Sequence, residues 1–101
     1  MRRGSTPVNT FNVPMDLSGA TVYISYEQNN RVVIEKTNTD LTFSSDEGYQ
    51  ITLQLSQEDT LKFRSGPVLI QSRYVFPDGT ADASNLIHTT FERIIKDGVI
   101  P

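Results

Sequence analysis

Apolar and polar residues alternate in short runs along this chain, and turn residues break the runs every few positions. The clearest run is Tyr49-Gln50-Ile51-Thr52-Leu53-Gln54-Leu55. It places Tyr49, Ile51, Leu53 and Leu55 on one face of a strand and polar residues on the other. Ala20, Val22, Ile24 and Tyr26 form a second stripe, Val32 and Ile34 a third, and Phe11 and Val13 mark a short first strand. Val68, Ile70, Tyr74 and Phe76 mark another, interrupted on the same face by Ser72. Over residues 85–95, Ile87, Phe91 and Ile95 alternate less regularly. Between these runs lie Ser18-Gly19, Asn29-Asn30, Asn38-Thr39-Asp40, Ser65-Gly66-Pro67 and Pro77-Asp78-Gly79, the punctuation of an antiparallel sandwich or barrel.

Two registers follow from the pattern. A two-residue Asn29-Asn30 loop would pair Tyr26 with Val33 and throw Val32 and Ile34 onto the wrong face. A three-residue loop, Gln28-Asn29-Asn30, instead pairs Tyr26 with Val32 and Ile24 with Ile34, and sets Glu27 opposite Arg31. The three-residue loop is therefore expected. Around Pro77–Thr80, a four-residue loop sets Ile70 opposite Ile87 without exposing Phe91, and is preferred to a three-residue loop that would set it opposite Leu86. In "LSQEDTLKF", Ser56 stands three residues before Asp59, which predicts one capped helical turn near 56–61, with Leu61 and Phe63 tucked beneath it. The expected fold is all-β: an immunoglobulin-like antiparallel β-sandwich of about seven strands with that single helical turn.

Length sharpens this to one domain over residues 1–101, with 1–6 expected as a frayed terminus. Cysteine is absent, which removes disulfides, thiolate catalysis and zinc–cysteine sites together. The net charge of −3, with acids and bases interspersed, argues against a nucleic-acid partner. Arg2-Arg3 is followed by polar residues rather than an apolar segment, and no run is long enough to span a bilayer. Cytoplasmic synthesis without an export signal or membrane partner is the expectation.

Candidate chemistry is sparse. His88 is the only histidine, and its parity is opposite to that of Ile87 and Phe91, which puts it on the solvated face. Ser84, Asp82 and His88 are close in sequence, but alternation gives them no common pocket. Asp46-Glu47 in "SSDEGY" comes nearest to a calcium loop and supplies too few oxygens; Asp78-Gly79 and Glu58-Asp59 read as a turn and a helix start. No catalytic, metal or cofactor site is predicted. Tyr23 is expected outside, whereas Tyr26, Phe43, Tyr49, Tyr74 and Phe76 fit core positions. Val33, Leu69 and Val75 point away from the core stripes, so Tyr23, Val33, Leu69 and Val75 are the candidate protein-contact residues.

At Asp16–Val22, "DLSGATV" resembles a recurring segment of the amino-terminal β-sandwich domains of phage baseplate upper proteins. The stretches "RRGSTP", "LSQEDTLKF" and "DGTADASNLI" look like parts of small proteins encoded among structural genes in prophages of Gram-positive bacteria. The resemblance implies a non-enzymatic, tail- or baseplate-associated assembly module, made in the bacterial cytoplasm and incorporated into the virion. Its partners would be other virion proteins or copies of itself. The family brings no catalytic residues to carry over. Two alternatives stand beside it: a host-interaction module for carbohydrate or protein, with glycan binding through Tyr23, and a small hydrolase using His88.

Overall fold

The computed structural model describes residues 1–45 and 48–101. Its strands are β1 (Val8–Val13), β2 (Thr21–Gln28), β3 (Arg31–Thr37), β4 (Thr42–Ser44), β5 (Tyr49–Gln54), β6 (Gly66–Val75), β7 (Ala81–Ala83) and β8 (Ile87–Phe91). One antiparallel sheet runs β1-β5-β4. The other runs β3-β2-β6, with β7 and β8 sharing the far side of β6. Strands cross between sheets after β1, β3 and β5, and the order matches the B-E-D over C′-C-F-G arrangement of an immunoglobulin-type sandwich. The chain is therefore an immunoglobulin-like β-sandwich, as its alternation predicts.

The core lies between the sheets. Ile51, Leu53 and Leu55 face Val22, Ile24 and Tyr26, all essentially without solvent contact. Phe63 lies on Phe91 with ring centroids 4.3 Å apart and meets the edge of Tyr26 at 6.1 Å. Such aromatic contacts add to the area they bury. Burial pushes the Tyr26 phenol up to about 12, a rise the Asn9 hydrogen bond opposes and the nearby Asp59 charge adds to. Ser72, which breaks the β6 stripe, is buried with its hydroxyl 2.7 Å from that of Tyr74, so the interruption is satisfied internally.

The β2–β3 hairpin departs from the expected register. Its loop is the two-residue Asn29-Asn30, both left-handed (φ 54° and 63°), with Gln28 opposite Arg31 and Glu27 opposite Val32. The register then shifts, and Tyr26 pairs with Ile34. Val33 is the extra residue of a β-bulge, and that bulge returns Ile34 to the core face. A two-residue loop puts Val32 and Ile34 on the wrong face only in an unbroken ladder. Asparagine's tolerance of the left-handed region favours the tight turn, and the bulge repairs the parity.

The last strand position is likewise split. Val75 faces Ala81 and Arg73 faces Ala83, the pairing of a three-residue loop, whereas Ile70 faces Ile87, the expected partner. The change of register falls at Ser84–Leu86, where the Ser84 hydroxyl accepts from Ser72 N and Ser84 N donates to Ser72 O. The return after Pro77 is thus two short strands, β7 ahead of the expected run and β8 within it.

Nor is the segment 1–6 frayed. Arg2 and Glu92 form a parallel bridge, Arg3 Nε donates to Phe63 O at 2.6 Å, and Thr60 Oγ1 donates to Ser5 O at 2.8 Å. The expected helical turn is α1 (Gln57–Leu61). Ser56 Oγ accepts from Asp59 N, and the Asp59 carboxylate accepts from Ser56 N, as the spacing predicts.

Candidate docking site

The ladder registers give the sandwich two distinct ends. Val13, Thr21, Thr37, Tyr49 and Val75 end their strands at one; Val8, Gln28, Arg31, Gln54 and Gly66 lie at the other.

The second end is closed over the core, with only surface hollows around Lys62 and Arg64. The Gln28 side chain bonds both Arg64 N and Arg64 O, at 2.8 and 2.6 Å. Asp59 caps α1 and pairs with Lys36 Nζ at 3.0 Å. Burial alone would raise the Asp59 carboxyl, but bonds from the Ser56 backbone, Lys36 and the Ser56 hydroxyl, with the charge of Lys36, hold it below the ordinary aspartate value.

The first end is open. Phe43 stands opposite Ile51, and Ile51 opposite Phe11, so all three share the inner face of their sheet. Tyr49 has the parity of Ile51 and faces Val13 across the ladder. These are core positions by pattern, as expected, yet Phe43 is 44% and Tyr49 39% exposed. The cause is geometric: β4 has three residues and forms the edge of a three-stranded sheet, so among the described residues no further strand extends that layer over the inner face there. A groove opens between this edge and the loop leading into β2, lined by Phe43, Tyr49, Gln50, Asp16 and Gly19.

Its walls are stiff. Asp16 Oδ1 accepts from the Ser18 backbone and hydroxyl, and these bonds keep its carboxyl below the usual range. Asn38, in a single 3₁₀ turn (Asn38–Asp40), accepts from Val22 N and donates to Ala20 O. Gly19 has φ +78°, a conformation glycine adopts freely, and a β-carbon there would stand 3.4 Å from Pro77. The "SGA" turn therefore abuts the Pro77 turn and frames the groove.

The expected contact residues are placed differently. Tyr23 and Val75 lie on the outer face of the larger sheet, 42% and 41% exposed, on neighbouring rows of the β2–β6 ladder. Leu69 is half-buried, opposite Glu27 and His88. Val33 does not point outward: its bulge turns it half-buried against the core, and Val32 takes the exposed position at 57%. No surface thus joins the four. His88 is exposed. Ser84 is engaged by Ser72 and Asn85, Asp82 accepts from Ala83 N, and among the described residues no bond joins the three into a triad. Asp46-Glu47 lies outside the described residues. Among the described residues, no group of three or more His, Asp or Glu is placed to hold a metal ion, and no helix is long and apolar enough to cross a membrane.

The groove is not foreseen from alternation, because inner-face parity assigns Phe43 and Tyr49 to the core. The available signal was the brevity of the β4 run beside two aromatics.

No family model and no curated protein matches the chain. Among solved structures, the V domain of amphioxus IgVJ-C2 aligns over 93% of this chain and 97% of its own, at 12% identity and a TM-score of 0.36. A likeness at that level adds nothing to the strand order itself.

Proposed function

We propose that this chain is a non-enzymatic docking module that binds a protein partner in the groove at its open end, and that it works in a phage or prophage particle, as the "DLSGATV" resemblance implies. The observation that carries the docking reading is the exposure of Phe43 and Tyr49 on the inner sheet face. Large aromatics in a stiff-walled hollow are the usual anchors of protein recognition. The chemistry-bearing side chains, by contrast, are dispersed or engaged in turns.

The test is mass spectrometry of particles purified after induction of the strain carrying the gene. The chain should be present in stoichiometric amount, and a Phe43→Ser, Tyr49→Ser variant should be left in the lysate. Absence of the unaltered chain from clean particles would remove the virion reading.

Carbohydrate is the second reading, favoured by Phe43 and Tyr49 beside the polar Asp16 and Gln50. It moves the expected sugar contact from Tyr23, which is not in the groove. Glycan-array binding that disappears in Tyr49→Ser but survives in Tyr23→Ser would support it.

A further inference from the structure

The two ends differ in charge as well as closure. Asp16 lines the groove, Asp40 closes the 3₁₀ turn whose Asn38 forms part of its wall, and Asp78 follows the Pro77 that abuts Gly19. All three carboxylates are exposed. Asp78 accepts from the Thr80 hydroxyl and backbone, which hold its carboxyl below the ordinary value, and the bonds leave its charge in place.

At the opposite end, Lys62 and Arg64 stand between two adjoining hollows. One also takes in Arg93 and the other Arg31 and Val32. These four cations are exposed, and among the described residues none of them forms an ion pair. The molecule extends 47 Å along its longest axis. That is several times the screening length of roughly 8–10 Å at physiological salt, so each end presents its own field.

We infer that the partner in the groove is a second copy of this chain, its β2–β3 hairpin end seated against Phe43 and Tyr49 of the first. The inference rests on the docking reading above and names the partner. Charge carries the fit. The groove is concave and acid-rimmed, with Phe43 and Tyr49 exposed among polar neighbours; the hairpin end carries a tight Asn29-Asn30 turn with exposed Arg31 and Val32, and Lys62 and Arg64 beside it. The aromatics supply contact area, and the opposed charges set the orientation and speed the encounter. The two surfaces lie on different parts of one chain, so the contact is heterologous. It leaves a free groove and a free hairpin end on every pair and adds copies head to tail.

Two variants test this by sedimentation velocity. Lys62→Glu with Arg64→Glu removes the basic end and keeps the groove; Phe43→Ser with Tyr49→Ser removes the groove and keeps the basic end. The unaltered chain should form species larger than a dimer at about 50 mM salt and revert to monomer at about 500 mM. Each variant alone should stay monomeric, and an equimolar mixture should give a dimer that grows no further. Circular dichroism checks that both are folded. Should either fail to fold, Asp16→Asn with Asp78→Asn keeps the turn-capping oxygens and should weaken association at least tenfold at low salt. Association of either folded variant alone, or a monomeric mixture while the unaltered chain assembles, would overturn the head-to-tail contact. An unaltered chain that stays monomeric at all salt concentrations yet enters particles would overturn the self-partner and leave the docking reading standing.

Discussion

The two ends of this sandwich are built from similar material and finished differently. At the hairpin end, Phe63 is stacked on Phe91, Gln28 clamps the Arg64 backbone, and Arg3 reaches the carbonyls of Leu61 and Phe63. At the groove end, Phe43 and Tyr49 stand at inner-face strand positions and remain half in solvent. The difference teaches that inner-face parity does not by itself bury a side chain. A residue is sealed only where a second layer extends over it, and the three-residue β4 supplies no such extension. The hairpin end is therefore closed over its aromatics, and the groove end leaves its own free for the docking proposed above.

The contrast is broken most directly by truncating matched aromatics. Phe63→Ala should cost about 3–5 kcal/mol in urea unfolding, enough to leave much of the protein unfolded. Asp59→Ala should cost about 2–4 kcal/mol by calorimetry, because it removes the carboxylate that accepts from Ser56 N in the capping box and leaves the largely buried Lys36 ammonium unpaired. Asp59 also gives the sealed end an acid sensitivity. Its folded pKa is depressed, so its contribution is complete above the unfolded value of about 3.9 and is lost as pH falls through the folded value. Unfolding free energy should drop below about pH 4, and Asp59→Ala should flatten part of that drop.

Gln28→Ala should cost about 1–2 kcal/mol, since it deprives the Arg64 N–H and C=O of their side-chain partner. At the open end, Phe43→Ser should change stability by less than about 1 kcal/mol while removing docking. A Phe43 cost equal to that of Phe63 would erase the distinction between the ends. The smallest effect belongs to the hairpin: Asn30→Gly, at φ 63°, should stabilise by a few tenths to about 0.5 kcal/mol, readable as a small rise in Tm.

Much of the architecture is legible in the chain. The alternation of Tyr49–Leu55, the Ser56–Asp59 cap and the Ile70–Ile87 pairing all appear in the fold as local chemistry predicts. The failures share one cause. Val33 and Ser84 sit where a single extra residue changes register, and no period-of-two pattern records an insertion that later residues compensate. Residues 1–6 look disordered because their partners, Phe63 and Glu92, are distant in sequence. The groove was hidden for a related reason: exposure of Phe43 depends on what lies across from it, which alternation along its own strand does not encode.

The most direct test of the account is a backbone amide NMR series of the unaltered chain at low salt, recorded over increasing protein concentration. Shifts confined to residues 16–21, 43–44 and 48–50 at one end, and 29–33 and 62–65 at the other, are the predicted result. Shifts centred instead on the outer sheet face around Tyr23 and Val75, or spectra that do not change with concentration at all, would contradict it.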